Sequence, residues 1–527
     1  MSRTDPPKPN RREFLAASAA AAATAALAAC EAPPASRPSA APREVLPEDL
    51  AAAALEAAKR AGASYADVRY VVTVGESIST REARVESVRQ QESAGLAVRV
   101  VARGQFGHAA ARVSTADEAA ELGRRAVALA RSSGGARVDP VELAPTPRVD
   151  AEWTSPCEID PFTIPLDRRA ERALAANAAA MSVAGCSFAS SGLTFVRERK
   201  LFLSSEGSRI RQTVTRGLVT ANATAVDRAA GLFEPVGIEE PAEMGFELLD
   251  HIAFDAMGKK AAEAAVRRMK ARPVVAGEYD LVLLPSHLWL TIHESIGHPT
   301  ELDRARGLEA NYFGTSFLTP EATRKLTIAS PKVNIVADRT QPTALATVGY
   351  DDDGVAAGRW DLVREGLFVG WQTTREQASW IGEPTSRGCS YAQGWQNIAF
   401  QRMPNVSLSP GEERLTLDEL VADTKRGILI DGDASYSIDQ QRRNFQFTGN
   451  AFWAIEDGKV GEPLRDVAYQ SNTPQFWSSC DAVCDERAYE LHGSFFDGKG
   501  QPGQVNPVSH GSAPARFRNV RVLNTRA

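Results

Sequence analysis

The stretch His293-Glu294-Ser295-Ile296-Gly297-His298 sets two imidazoles around a carboxylate. Those groups are enough to hold a divalent metal and to take a proton from a water that the metal polarises. The histidines are five residues apart, and on a regular α-helix that offset separates them by roughly 140° around the axis, so the rings do not converge. A π-bulge or a break in the last turn brings them together, and Gly297, just before the second histidine, is a natural place for one. The bland alternative is a core helix with two satisfied histidines. Glu301 and Asp303 follow in Pro299-Thr300-Glu301-Leu302-Asp303-Arg304, near enough to support the ligands from behind or to replace one of them. Towards the C terminus, Asp497-Gly498-Lys499-Gly500-Gln501-Pro502-Gly503-Gln504 leads into Pro507-Val508-Ser509-His510-Gly511. Its glycines make the backbone accessible, and Asp497 and His510 offer ligand atoms, although an ordinary Gly/Pro loop between strands reads the same way. The order of a phosphate-cradling loop, GxxxxGK[ST], is absent there. Asp351-Asp352-Asp353-Gly354 lacks the spaced carboxylates and closing glutamate of an EF-hand loop and reads as a turn. Acyl-enzyme chemistry has no candidate nucleophile.

The elements that must position these groups follow from periodicity. Residues 47–62 carry an apolar stripe at helical spacing, and residues 115–133 form a second helix with Ser114 or Thr115 as cap and Glu118 in the first turn. Between them, residues 67–74, 77–91, 96–102 and 106–113 read as strands. A helix over 166–184 then precedes strands at 187–197, 200–204 and 208–221, with a turn at Ser204-Ser205-Glu206-Gly207, and an alanine-rich helix covers 255–271. Residues 279–284 are a buried-type strand, and Pro285-Ser286 starts the helix that runs into the histidine motif. From 326 onward the pattern is strand and turn. The expected class is α+β. A helix and antiparallel-strand domain spans 46–240, a connecting helical segment 241–276, and a C-terminal domain dominated by a large antiparallel sheet or barrel 277–527.

The chain has 527 residues, 43% of them apolar, with a formal net charge of −6 and no Lys/Arg-rich run, which argues against nucleic-acid binding. Its first 30 residues read as an export leader: Asn10-Arg11-Arg12-Glu13-Phe14-Leu15 resembles a twin-arginine signal, and an alanine-rich run over 16–29 follows. Leu27-Ala28-Ala29-Cys30 resembles a lipobox, in which Cys30 is lipidated; an ordinary signal peptide with an incidental cysteine is the alternative. Residues 31–45 are a Pro/Ala spacer suited to tethering at a membrane surface, so the expected location is the periplasm or cell envelope, with the lipid as sole membrane contact. The remaining cysteines fall at 157, 186, 389, 480 and 484. Cys480 and Cys484 are near enough to pair, and the sequence leaves both the paired and the free state open.

The chain also resembles the TldD/PmbA family of metallopeptidases over nearly all of the part beyond the leader. The Gly95-Leu96-Ala97-Val98-Arg99-Val100 strand is similar to the family's opening domain, and the 293–298 motif to the HExxGH type of the TldD branch, which the PmbA (TldE) branch lacks. Val348-Gly349-Tyr350-Asp351-Asp352-Asp353-Gly354 resembles the family's D-[DE]-G hairpin, while Gly498-Lys499-Gly500-Gln501 and Val508-Ser509-His510-Gly511 resemble its C-terminal signature. The resemblance implies a zinc-dependent peptidase acting on unfolded peptides or small proteins, with the substrate extended against a sheet edge. It also implies a homodimer or a heterodimer with a PmbA-type subunit. His293 and His298 are then zinc ligands, Glu294 the base, and Glu301, Asp303 and His510 supporting or substrate-contacting groups. In the TldD branch a cysteine just before Gly-Lys-x-Gly-Gln supplies the third ligand, and here Asp497 stands in its place. Three outcomes are open: Asp497 ligates and admits other divalent ions besides Zn²⁺, Cys480 or Cys484 reaches the site, or the metal is lost. In the last case the protein is a catalytically silent peptide-binding or partner subunit of the same fold.

Overall fold

The computed structural model describes residues 46–133 and 139–526. The leader, the spacer and Cys30 lie outside the described residues. Long strands rich in β-branched residues build a seven-stranded sheet, five of whose strands run antiparallel in the order Gln105–Ala111, Arg84–Ala102, Tyr65–Arg81, Cys186–Ser204, Arg209–Asp227. The last of these carries two partners along one edge: Asp150–Thr154 lies parallel to its first residues and Leu232–Ala242 antiparallel to the rest.

Alanine-rich helices cover this sheet in two pairs. A Cβ at Gly123 of helix Ala116–Ser132 would meet the Ala54 carbonyl oxygen of helix Glu48–Arg60 at 2.2 Å. A Cβ at Gly258 of helix Phe254–Lys270 would likewise meet the Ala176 carbonyl oxygen of helix Leu166–Met181 at 2.1 Å. Both pairs therefore depend on one glycine for close backbone approach. The sequence shows no repeat, yet this shared device makes the two helix-and-strand units alike. Thr115 and Glu118 form the expected capping box. The helix in the 241–276 stretch, assigned from sequence to a connecting segment, packs on the first sheet with Leu166–Met181.

Several strand boundaries differ from the sequence reading: Cys186–Ser204 is one strand where two are expected, at 187–197 and 200–204, and Asp150–Thr154 and Leu232–Ala242 are strands that the pattern does not mark. The hairpin turn falls inside the expected 77–91 strand, at Glu82, whose φ of +50° carries no glycine or proline signal. No break occurs near Gly95, because that glycine makes room for Trp395: a Cβ there would lie 2.3 Å from the indole, which also donates to Ser93.

The C-terminal part is barrel-like, as expected. Strands Arg426–Ile438, Gly277–Leu283, Ala515–Asn524, Val467–Asn472 and Asn444–Glu456 pair in that order, and the last pairs back with the first, closing a five-stranded barrel. Only the Arg426–Ile438/Gly277–Leu283 pair in that ring is parallel. In its core Phe445 stacks on Phe447, Phe476 stacks on Tyr469 and on Phe517, and Phe445 meets Phe476 edge to face. Three further elements matter for the site. A four-stranded sheet includes Asn405–Leu408, the hairpin Glu490–Lys499/Gln504–Ser512 packs beside it, and helix Pro285–Ile292 leaves the Gly277–Leu283 strand across the barrel. Among the described residues no helix is long and apolar enough to cross a membrane.

Candidate metal centre

Helix Pro285–Ile292 is pinned to the barrel by polar contacts on its buried side. His287 bonds the Gly432 carbonyl and the Tyr469 hydroxyl, each at 2.9 Å, and the Trp477 indole donates to Ser295 at 2.8 Å. At His293 the helix widens. Residues His293–Gly297 form one π-helical turn in which the His298 N–H bonds the His293 carbonyl, five residues back, and His298–Thr300 then tightens into a 3₁₀ turn. The widened turn removes the angular offset that a regular helix would impose, and the ring centroids of His293 and His298 stand 4.5 Å apart. Gly297 is right-handed helical there, so its role is space: a Cβ would meet the Met403 sulfur at 2.6 Å.

The hairpin Glu490–Lys499/Gln504–Ser512 brings Asp497 against this turn. His293, His298 and Asp497 are all buried, and their ligand atoms lie within 4.8 Å of one another. Asp497 Oδ1 is 3.4 Å from His293 Nε2 and 3.8 Å from His298 Nε2. Three donors on a tetrahedral centre at about 2.0–2.2 Å would be separated by roughly 3.3–3.6 Å; the 3.4 Å pair matches this and the 3.8 Å pair closes slightly on binding, so the donor set suits a divalent cation of the zinc kind. Cys480 and Cys484 are free, buried thiols and are not among the converging groups.

Groups behind the ligands fix which nitrogen faces the centre. His510 Nδ1 donates to the Val406 carbonyl at 2.7 Å, which leaves its Nε2 as an acceptor for the Nδ1–H of His293 at 2.8 Å. The lone pair of His293 is thereby directed through Nε2. His298 Nδ1 faces two groups, the Glu301 carboxylate at 3.0 Å and Arg304 Nη2 at 3.1 Å; the carboxylate can only accept and favours an N–H at Nδ1, which turns the Nε2 lone pair inward. Burial, and then Arg304, lower the His298 pKa to about 4, so the ring is neutral as a ligand must be. Burial also lowers His293, but the Asp497 carboxylate outweighs it and raises the pKa, and ligation there releases a proton. Asp497 is held well below the usual carboxylate range: burial opposes ionisation, but His293, His298 and Arg402 overcome it.

A second layer holds the acids. Lys499 is fully enclosed, and its Nζ reaches Glu301 at 3.1 Å and Asp303 at 2.9 Å. Arg304 Nε bonds Glu301 at 2.8 Å, and Arg402 Nη2 bonds Asp497 Oδ2 at 3.3 Å. Glu301 and His510 thus touch the histidines directly, whereas Asp303 reaches them only through Lys499. Glu294 is buried beside the centre and paired with Arg442, and the half-exposed Tyr436 brings its hydroxyl to the same carboxylate. Burial alone would raise the Glu294 pKa, but Arg442 and the two histidines hold it below its usual value. Sequence reasoning missed Arg402, Arg442, Tyr436 and Trp289, whose ring stacks on His510. None of them stands in a motif; only the fold assembles them.

Asp351–Gly354 is a turn, as expected, with Gly354 at φ +78°. Asp352 pairs with Lys200 at 2.6 Å and Asp353 with Arg99 at 2.7 Å, joining the C-terminal part to the first sheet. Asp351 accepts from the backbone N–H groups of Asp353, Val355 and Ser390. A separate cavity of about 630 Å³ reaches Asp303 and Gln401 but none of the three converging ligands.

Three consecutive segments match the models described as PmbA/TldA metallopeptidase domain 1 (residues 66–130), central domain (159–269) and C-terminal domain (276–524). A metalloprotease of Methanothermobacter thermautotrophicus is 30% identical over 461 residues, covering 88% of this chain and 96% of its own. A zinc metalloprotease TldD homolog of Saccharolobus solfataricus is 24% identical over 266 residues, 49% of this chain and 54% of its own. The crystal structure of TldE from Thermococcus kodakarensis superposes with a TM-score of 0.69 at 15% identity, covering 89% of this chain and 98% of that one.

Proposed function

The chain belongs to the PmbA/TldD family of metallopeptidases, and from that premise we propose that it is an exported peptidase that hydrolyses unfolded peptides or small proteins with the help of a divalent cation, Zn²⁺ by expectation. The observation that carries this reading is the convergence of His293 Nε2, His298 Nε2 and Asp497 Oδ1 beside an enclosed carboxylate, Glu294. A cation held by those three atoms supplies Lewis-acid polarisation and lowers the pKa of a water to about 7.

The chain's own residues do the rest. His510 and Glu301 hold the two imidazoles in the ligating tautomer. Glu294 takes the proton from the attacking water at its carboxylate and delivers it to the amide nitrogen as the C–N bond breaks. The substrate strand has a place to lie. Arg426–Ile438 pairs with Gly277–Leu283 only through Gly427–Ile430, so from Asp433 to Ile438 that edge has no partner strand among the described residues. An extended peptide added there uses main-chain hydrogen bonds and ignores most side chains, which suits unfolded substrates and excludes folded ones. The edge runs past Tyr436 towards Glu294.

Metal analysis of the purified protein, with cleavage of an unstructured peptide by wild type and by Glu294→Gln, tests the reading. The expected result is about one metal per chain in both and loss of cleavage in the variant. A wild type that holds no stoichiometric metal and cleaves no faster than the variant returns the protein to a silent binding role.

A further inference from the structure

We propose that Arg442 is a catalytic residue, the group that stabilises the oxyanion formed at the scissile carbonyl, and that it releases Glu294 in the same step; this rests on the peptidase reading above. The other cations near the centre are committed elsewhere. Arg304 and Lys499 hold Glu301 and Asp303, and Arg402 holds Asp497 and the Gln504 carbonyl, all three with side chains 0% exposed behind the ligands. Arg442 stands on the open side, at the turn between strands Arg426–Ile438 and Asn444–Glu456, where the unpartnered strand edge ends.

Its hydrogen bonding is incomplete. Nη1 pairs with Glu294 and Nη2 donates to the Phe313 carbonyl at 3.1 Å, while Nε is buried with no acceptor. An unused buried donor is costly, and a substrate oxygen reaching the guanidinium, whose side chain keeps 12% of its surface exposed, would relieve it. The same atom of Arg402 is also unused, but that side chain is sealed behind Asp497. The helix gives no backbone alternative: the His298 and Glu301 N–H groups bond back to the His293 and His298 carbonyls.

The turn that carries Arg442 is fixed. Arg442 sits at φ +60°, its N–H bonds the Asp439 carbonyl at 2.9 Å, and its own carbonyl accepts from the Thr473 hydroxyl at 2.8 Å. Asp439 also accepts from the N–H groups of Arg443 and Asn444, and the Gln440 and Gln441 carbonyls accept from Thr315 and Phe317. The guanidinium is thus placed before any substrate arrives, the condition under which a fixed charge lowers a barrier most.

The charge balance of the reaction suits this placement. As the water oxygen bonds to the carbonyl carbon, the C=O π pair moves onto the carbonyl oxygen and the water proton passes to Glu294. The negative charge that Arg442 neutralises therefore moves from Glu294 to the oxyanion. When the C–N bond breaks, its electron pair goes to nitrogen, Glu294 returns the proton there, the carbonyl re-forms and the ion pair with Arg442 is restored. Arg442 faces one negative charge throughout, and only the position of that charge changes.

Arg442→Ala and Arg442→Lys, each loaded with metal, test this against an unstructured peptide and a phosphonamidate peptide that mimics the tetrahedral species. For Arg442→Ala the expected result is a loss of about 10²–10³ in kcat with KM within about threefold. Affinity for the phosphonamidate should fall by the same factor with metal content at the wild-type value, the melting midpoint should drop because the enclosed Glu294 loses its counter-charge, and added guanidinium should restore part of kcat. If Arg442→Ala does not fold, Arg442→Lys decides, because it keeps the charge and loses the planar fork; a kcat loss of about tenfold is expected. A kcat within threefold of wild type overturns the proposal. So does a fall in kcat with undiminished phosphonamidate affinity, since Arg442 would then act on Glu294 alone. Failure of the wild type to cleave any peptide sinks the peptidase reading instead.

Discussion

His510→Ala is the change that most directly tests the ligand geometry without touching a ligand. In wild type the Val406 carbonyl, His510 and His293 form a relay of 2.7 and 2.8 Å bonds that commits His293 Nε2 to the centre. Removing the His510 ring leaves the buried His293 Nδ1–H without an acceptor, a cost of about 1–3 kcal/mol, and lets the imidazole turn. Loss of such a supporting partner typically weakens metal binding by about 10–100-fold, or roughly 1.4–2.7 kcal/mol. The assay is competition with a chromophoric chelator at pH 7.5. Trp289→Phe serves as control: it keeps a ring against His510 and gives up only the 3.2 Å bond from the indole to Asp433, so its metal affinity should stay within about twofold of wild type. A His510→Ala protein that melts normally and binds metal as tightly as wild type would refute the relay.

Four further outcomes are expected. Gly297→Ala forces a methyl into the Met403 sulfur and should destabilise the protein by about 1–3 kcal/mol by urea unfolding; combined with Met403→Ala the loss should be smaller than the sum of the two single losses, and equal stability of Gly297→Ala and wild type rules the packing account out. Burial pushes the His287 pKa down to about 4, so the stability this group contributes to the metal-free protein should be lost as pH falls from about 6.5 to 4; the stability difference between wild type and His287→Gln by urea unfolding should shrink across that window, and a difference that does not change with pH contradicts this. Asp497→Cys, which installs the family's thiolate, should melt lower than wild type and gain no metal affinity, by scanning calorimetry and chelator competition. Cys30→Ala should shift the protein from the membrane pellet to the soluble fraction, and equal membrane recovery of both forms counts against lipidation.

The legible part of this protein is the part encoded locally. Thr115 with Glu118, the Ser204–Gly207 turn and the strand before Pro285 each depend on a few neighbouring residues, and each stands where the sequence places it. The five-residue spacing of the histidines even implied its own remedy, the widened turn at His293–Gly297. The turn at Glu82 was hidden because a non-glycine residue in a left-handed conformation leaves no compositional trace, and the surrounding pairing is what holds it there. Arg402 and Arg442 were hidden for another reason. Each reaches its carboxylate across a separation of 95 and 148 residues respectively, and a lone arginine in a strand-and-turn region looks like any solvated arginine. Gly95 shows the opposite case: it lies in the gap between the strands expected at 77–91 and 96–102, yet in the fold it is a packing device for a tryptophan far along the chain.

The aspartate at 497, where the TldD resemblance implies a cysteine, is also explained by one of those hidden arginines. Arg402 is fully enclosed, and its nearest anion is Asp497, through Oδ2 at 3.3 Å. A buried arginine without a counter-charge costs about 3–5 kcal/mol, so something at 497 must answer it. A carboxylate has two oxygens and answers twice, with Oδ1 towards His293 and His298 and Oδ2 towards Arg402. A thiolate has a single sulfur, so metal and guanidinium would have to share one atom. Cysteine at 497 therefore suits a chain without this arginine contact, and aspartate suits a chain that has it. On that physical ground the departure from the family pattern reads as a matched pair, Asp497 with Arg402, and not as the erosion of a metal site. The double change Asp497→Cys with Arg402→Met should then bind metal better than Asp497→Cys alone, and the same affinity in both would break the pairing.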